Sequence, residues 1–231
     1  MVRDLDAASE PFARLGFRFK EGRLHANGLL NRHIKFRDGT ELELMTVRGE
    51  ASDSMARNYR RLLREGEGGV FAALKVGDLR PIEDAAERLA LPVRRSGSGP
   101  WRFLSFPPPS DASAVFFGSG WTAPADPDSI FQHGNPATTL EEAWIEGGPS
   151  LEALLREVGA RACGPARLLD GKDGTRWALS RGTLIVVPFR GPAPGPRLLG
   201  VAFGADAEIS AERRGAVEPL PGFWIRFGGG D

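Results

Sequence analysis

The sequence predicts an α+β protein built from repeated β-α-β-β-β modules. Asp4-Leu5 is followed by Leu15 eleven residues after the aspartate, and Asp78-Leu79 is followed by Leu89 at the same interval. Segments with helical spacing of apolar residues are each followed by short stretches in which apolar and polar residues alternate. An internal repeat with a period of several tens of residues indicates repeated structural units.

The predicted helices bury one apolar stripe each. Their apolar residues recur at the spacing i, i+3, i+4, i+7 that places them on one face of a helix. Pro81 and Pro149 stand where the first turn of a helix accepts proline, and Gly16 and Gly159 stand where a helix ends. The stripes are Ala8, Phe12 and Leu15; Ile82, Ala85, Ala86 and Leu89; and Leu151, Leu154, Leu155 and Val158.

A β-hairpin with two different faces is predicted after the first helix. Its strands cover residues 33–37 and 41–45, and Asp38-Gly39 is a strong signal for a tight turn between them. Alternate residues of a strand point to opposite faces. One face is therefore apolar and the other is polar: Ile34, Phe36, Leu42 and Leu44 against His33, Lys35, Glu41 and Glu43.

The remaining modules predict further strands. They lie at 71–76, near Val93, at 101–106 and 114–117, at 143–146, near Leu168, and at 177–179 and 183–187, with Asp173-Gly174 as a turn. By register with 71–76, a strand should precede Asp4, but only Met1 to Arg3 stand there. We therefore expect a start that is truncated relative to the module, and a sheet edge that another segment or another chain covers.

The predicted division of the chain falls near residue 130. Residues 1–130 form a first pair of modules, connected through a linking helix at 53–64 whose inward residues are Met55, Tyr59, Leu62 and Leu63. Residues 131–231 form a second pair, in which the last module, at 198–227, is partly decayed.

Composition excludes several classes of protein. Thirty basic and thirty acidic side chains cancel, which argues against binding to nucleic acid or to an anionic membrane. The single cysteine, Cys163, excludes an internal disulfide framework and suits a reducing compartment. The charged first twenty residues contain no apolar signal core. We expect a cytoplasmic protein whose partner is a small molecule, with homodimerisation as a further expectation.

Several motifs, in order, resemble the glyoxalase-like proteins of the vicinal oxygen chelate superfamily. The similarity covers residues 2–8 at the start, Leu15-Gly16-Phe17, and a histidine, an asparagine and a Leu-Glu-Leu strand at His25, Asn31 and 42–44. A later motif is His133-Gly134-Asn135-Pro136. The resemblance implies curved, cup-like mixed sheets with helices outside, and a small-molecule site inside the cup.

The resemblance also implies where a metal would bind. Metal-dependent members take a histidine from the first strand of a module and a glutamate from the last strand. Glu43 matches the last-strand position of the first module, but that module has no first-strand histidine. The second module has Phe71 at the histidine position, and the third has Glu142 there and Val186 at the carboxylate position. We therefore expect no metal ligands and no cofactor.

The candidate site residues follow from the polar hairpin face and from the resemblance. Glu43 and His133 are the predicted catalytic residues, because a histidine beside a carboxylate moves protons near neutral pH. The predicted ligand-binding residues are His25, Asn31, His33, Asn135 and Trp121. The alternatives remain open: cross-strand ion pairs on an exposed face, and loop residues that make local hydrogen bonds.

Three functions remain open on the sequence alone. The first is an enzyme of the lyase or isomerase type that acts by proton transfer in the cup, with a degenerate metal site. The second is a non-catalytic protein that sequesters a small compound. The third is a structural or dimerising module. A charged pocket favours the enzyme, an aromatic uncharged pocket favours the sequestering protein, and a filled cup favours the structural module.

Overall fold

The computed structural model describes residues 1–97, 99–120, 126–168, 171–191, 195, 197–205 and 216–228. Its α-helices are α1 (Leu5–Arg14), α2 (Ser54–Glu65), α3 (Arg80–Arg88) and α4 (Pro149–Glu157). Its strands are β1 (Lys20–Glu21), β2 (Leu29–Lys35), β3 (Glu41–Val47), β4 (Ala72–Lys75), β5 (Arg94–Ser96), β6 (Arg102–Ser105), β7 (Val115–Ser119), β8 (Ala137–Gly147), β9 (Arg161–Arg167), β10 (Asp173–Ala178), β11 (Thr183–Pro188), β12 (Leu198–Ala205), β13 (Ala216–Leu220) and β14 (Phe223–Phe227). No helix among the described residues has the length and apolar character to cross a membrane.

The chain divides into two compact units. Unit 1 comprises residues 1–69, 124–141 and 201–231, and unit 2 comprises 70–123 and 142–200. Each unit therefore draws on segments from both sides of residue 130. The predicted grouping of modules into 1–130 and 131–231 stays a prediction.

Unit 2 contains the two complete modules. In one, β4, α3, β5, β6 and β7 follow each other along the chain and the sheet order is β4-β7-β6-β5, with β4 parallel to β7. In the other, the order β8-β11-β10-β9 repeats this pattern, with β8 parallel to β11. Buried residues of α3 and α4 lie on the predicted stripes, including Ile82 and Leu154. The predicted fold class, α+β with repeated β-α-β-β-β modules, is confirmed.

One strand boundary and one turn in unit 2 differ from the prediction. The strand expected near Leu168 is β9, which ends at Arg167, and Asp173-Gly174 begins β10 instead of forming a turn. The turn lies earlier, because Leu168 N donates to Lys172 O (2.8 Å) and Gly171 supplies a positive φ of +80°. Gly174 is instead needed for close approach, since a Cβ there would lie 2.8 Å from Val186 O.

Unit 1 contains the incomplete module, with the sheet order β1-β2-β3. Asp4 caps α1 by accepting hydrogen bonds from Asp6 N (2.8 Å) and Ala7 N (3.1 Å). The predicted hairpin turn is observed, with Phe36 N donating to Thr40 O (3.0 Å) and Gly39 at φ +86°. The remaining sheet of unit 1 has the order β13-β14-β12, followed by residues 137–141 of β8, and it includes the strands predicted at 198–227.

The edge of β3 is covered at one end by the first residues of the chain. Val2 N donates to Met45 O (2.9 Å), as Val76 N donates to Gly118 O (2.8 Å) in unit 2. Met1 exchanges two hydrogen bonds with Gly68. Residues 1–3 thus take the position that the end of a first strand has in a complete module.

Candidate active site

The polar face of the β2–β3 hairpin gathers three of the seven predicted site residues, Glu43, Asn31 and His33. We define the polar face as Asn31, His33 and Lys35 of β2 and Glu41 and Glu43 of β3. Register places His33 directly opposite Glu43 and Lys35 directly opposite Glu41. The alternate residues of the hairpin point to the opposite face. These residues are buried in the core: Ile34, Phe36, Leu42 and Leu44. The predicted division of the hairpin into two faces therefore agrees with the structure.

Glu43 lies at the centre of the polar face. Its Oε1 accepts a hydrogen bond from Asn31 Nδ2 (2.7 Å) and lies 3.7 Å from His33 Nε2. Its side chain keeps 35% of its surface exposed. Burial raises the pKa of Glu43 above its ordinary value of 4.5, against the opposing influence of His33 and Asn31. A carboxylate with a raised pKa and an accessible side chain is a good candidate for proton transfer.

His33 stands between the two glutamates. Its Nδ1 lies 3.4 Å from Glu41 Oε2, and its Nε2 faces Glu43. Burial lowers the pKa of His33, but the two carboxylates outweigh this effect and the pKa lies above 6.5. Burial would also raise the pKa of Glu41, but His33, Lys35 and Lys20 outweigh it and the pKa falls. The pair His33 and Glu41 therefore favours an imidazolium and a carboxylate.

Lys35 is held at the end of the polar face by a residue that the sequence analysis missed. Lys35 Nζ donates to Asp126 Oδ2 (2.6 Å), and Lys20 Nζ donates to Asp126 Oδ1. The Asp126 side chain is only 5% exposed. Burial would raise the pKa of Asp126, but the two lysines outweigh it and the pKa lies below 3.8. Sequence spacing gave no signal for this contact, because 91 residues separate Lys35 from Asp126.

An apolar cluster borders the other end of the polar face. Leu29 of β2 and Ala56 of α2 are buried in this cluster, and Met45, Val47, Met55 and Tyr59 pack against it. Burial raises the pKa of Tyr59, and the negative charge of Glu43 raises it further. Tyr59 is therefore a neighbour of Glu43, although the sequence analysis assigned it only to the inner side of a linking helix.

The structure does not bring His133 into contact with Glu43 among the described contacts. His133 Nδ1 accepts from Arg18 N (3.1 Å), and Nε2 is within hydrogen-bond distance of Lys35 O (3.1 Å). A ring that accepts at Nδ1 carries its proton on Nε2, so this arrangement requires neutral imidazole. Burial lowers the pKa of His133, consistent with that form. Its predicted catalytic role stays a prediction, and His33 is the histidine beside Glu43.

Two further predicted residues, Asn135 and His25, lie away from the centre of the polar face. Asn135 Nδ2 donates to Leu15 O (2.9 Å), and Asn135 Oδ1 accepts from Ala137 N (3.1 Å). His25 lies in the loop before β2, with its backbone N bonded to Leu29 O (2.7 Å). Burial lowers the pKa of His25, helped by Arg23 and by His33, which places its ring near the polar face. Trp121 lies outside the described residues.

The positions that a metal would use in this fold do not fit a metal ion. Among the described residues, no three side chains of His, Cys, Asp or Glu converge on one point. Glu142 is 3% exposed, and its oxygens accept from Arg176 Nη1 (2.5 Å) and Trp144 Nε1 (3.0 Å). Val186, at the other position, offers no donor atom and is buried in β11. We therefore derive no chemical step through a metal.

Comparisons with known proteins agree with this fold. A family model described as "Glyoxalase-like domain" matches residues 1–159. No curated protein matches the sequence.

Three solved structures are similar in fold at low sequence identity. A hypothetical protein from Staphylococcus aureus has a TM-score of 0.64 and 13% identity over 98% of this chain and 95% of that chain. The 2,3-dioxygenase LapB from Pseudomonas sp. KL28 has a TM-score of 0.63 and 17% sequence identity, over 99% of this chain and 90% of that chain. A mutant of 4-hydroxymandelate synthase from Streptomyces coelicolor has a TM-score of 0.62 and 14% sequence identity, over 89% of this chain and 69% of that chain. Because the family model covers well over half of the sequence, the chain belongs to the glyoxalase-like domain family.

Proposed function

We propose that the polar face of β2–β3 binds a small organic carbonyl compound and that Glu43 exchanges a proton with it. The observation that carries this proposal is the position of Glu43, which is hydrogen-bonded to Asn31, lies beside His33 and keeps one-third of its side chain exposed. A base is most effective when its pKa lies near the working pH, and burial moves the pKa of Glu43 in that direction.

His33 supplies the complementary group. The Glu43 carboxylate would take a proton from the carbon next to the carbonyl, and the electron pair of that C–H bond would form an enolate. The raised pKa of His33 favours an imidazolium, which donates a hydrogen bond to the developing oxyanion. Return of a proton to the same carbon restores Glu43 and gives exchange. In an α-hydroxy carbonyl compound, the neighbouring hydroxyl gives its proton to the oxyanion, and return of the proton from Glu43 to the former carbonyl carbon gives isomerisation. The two lysines near this face, Lys20 and Lys35, are both ion-paired to Asp126.

The second candidate is a protein that sequesters a compound without reaction. The observation in its favour is the apolar cluster of Met45, Met55 and Tyr59, which adjoins the polar face and offers surface to an apolar part of a ligand. The charged centre of the face favours the enzyme over this alternative, because proton transfer uses a carboxylate beside an imidazole and apolar binding does not.

Proton exchange in D₂O separates the two candidates. The protein is incubated with a panel of hydroxyketones, ketoacids and aldehydes, and ¹H NMR follows loss of the C–H signal next to each carbonyl. We expect protein-dependent exchange for at least one compound, its loss in Glu43→Gln, and its retention in Glu10→Gln, a variant of an exposed glutamate.

Binding of the same panel is measured by thermal shift, since a ligand of the folded state raises its stability. A compound that raises the melting temperature without exchange supports sequestration. Exchange that survives Glu43→Gln, or a panel with neither binding nor exchange, contradicts the proposal.

A further inference from the structure

Asn31 is a buried residue of the polar face. The residue is 7% exposed, and its Nδ2 is committed to Glu43 Oε1. Because an ionised carboxylate only accepts hydrogen bonds, the NH₂ group of Asn31 must face Glu43 and its Oδ1 must face the opposite way. That Oδ1 is buried and has no hydrogen-bond partner among the described residues. An unpaired buried oxygen is destabilising, so packing alone does not explain an asparagine at this position. The hydrogen bond to Glu43 does explain it.

Gly22 provides the space for the back of the Asn31 side chain. Gly22 N donates to Asn31 O (3.1 Å), which brings the two backbones together. A Cβ atom on residue 22 would overlap with both Asn31 Oδ1 and Asn31 O. The φ angle of Gly22 is not positive, so the need for glycine here comes from this close approach and not from backbone conformation.

We propose that Asn31, seated against Gly22, is a positioning residue that orients the Glu43 carboxylate toward the open side of the polar face. The proposal rests on the proposed function, because it assigns the site's central carboxylate a fixed orientation. It gives Asn31 a role different from the ligand contact that the motif resemblance predicts. The amide acts on the ligand only through Glu43.

The charged surroundings of Glu43 define what the test must measure. Besides Asn31, the groups that influence the pKa of Glu43 are His33 on β2, Glu41 on β3 and the amino group of Met1. Glu43 in turn raises the pKa of Tyr59 on α2. The hydrogen bond from Asn31 favours the ionised form of Glu43 and lowers its pKa. Loss of that bond should therefore raise the pKa of Glu43 while these other groups stay in place.

The experiment is a ¹³C NMR titration of the Glu43 carboxyl carbon in the ligand-free full chain. Asn31→Leu keeps the side-chain volume and removes the donor. We expect it to raise the pKa of Glu43 by about one unit, the size of a charge-assisted hydrogen bond. Gly22→Ala should also raise the pKa of Glu43, because the added Cβ would displace the Asn31 side chain. Gly77→Ala is the matched control, because a Cβ there meets nothing within 4 Å and the φ of Gly77 is also not positive, and it should leave the pKa unchanged.

A second measurement needs no variant. In the wild-type chain, the side-chain NH₂ signals of Asn31 should titrate with the same midpoint as the Glu43 carboxyl carbon. An unchanged Glu43 pKa in Asn31→Leu, or Asn31 signals that do not follow Glu43, overturns the proposal. Because neither measurement uses a ligand, a missing proton exchange would contradict the proposed function alone.

Discussion

The β2–β3 hairpin of unit 1 and the β6–β7 hairpin of unit 2 share one topology but carry different chemistry. The hydrogen bonds from Val2 to Met45 and from Val76 to Gly118 set the correspondence between β3 and β7. With Met45 matched to Gly118, Glu43 corresponds to Phe116. The cross-strand registers then place Phe103 where unit 1 has Asn31, and Ser105 where it has His33.

The core-facing positions of the two hairpins are alike. Leu44 corresponds to Phe117 and Ile34 to Phe106, and all four are buried. On the other face, Phe116 makes edge-to-face contacts with Phe71 (6.0 Å between centroids) and Phe103 (5.9 Å), where unit 1 has its acid–base cluster. The comparison teaches that packing against the core maintains the fold, while the opposite face is free to differ and holds the chemistry.

The largest expected effect is on stability, and it concerns a core-facing residue of the β6–β7 hairpin. Phe117→Ala should lower the free energy of unfolding by about 3–5 kcal/mol, because the side chain is 2% exposed and its loss leaves a cavity. Phe116→Ala, its neighbour on the other face, is the matched control. It is only partly buried and should cost about 1–2 kcal/mol. Urea unfolding measures both, and equal losses would contradict the division into two faces.

A smaller effect on stability is expected at the ion pairs beside the polar face of β2–β3. Asp126→Asn removes the counter-charge of Lys35 and Lys20 and should lower the free energy of unfolding by about 2 kcal/mol at pH 7, less than for a fully buried pair because Lys20 is 33% exposed. The pKa of Asp126 is lowered in the folded chain, so its stabilisation is present above 3.8, the ordinary value, and is lost as the pH falls through the lower folded pKa.

Urea unfolding of wild type and Asp126→Asn at pH 7 and near pH 3 checks this sign. The difference between the two proteins should shrink at the lower pH. Other carboxylates protonate in both proteins and largely cancel in the comparison. A difference that is independent of pH would contradict the assigned ion pairs.

The sequence was sufficient for features that depend on local rules. Alternation and the Asp38-Gly39 turn predict the register of the hairpin, and the helical stripes predict α1, α3 and α4. The contacts of Asp126 and His133 could not be predicted, since they join segments about a hundred residues apart through packing. Tyr59 was predicted to point inward, but nothing in its own helix indicates that it borders Glu43.

The most direct test of the central claim is to locate where a small molecule binds. The chain has only three methionines, and all lie in unit 1: Met1 at the edge of β3, and Met45 and Met55 beside the polar face. Methyl-¹³C NMR of methionine-labelled protein, titrated with a compound that raises the melting temperature, should shift the Met45 and Met55 signals. A compound that stabilises the protein and leaves both signals in place would bind elsewhere, and would contradict the assignment of the site to the β2–β3 face.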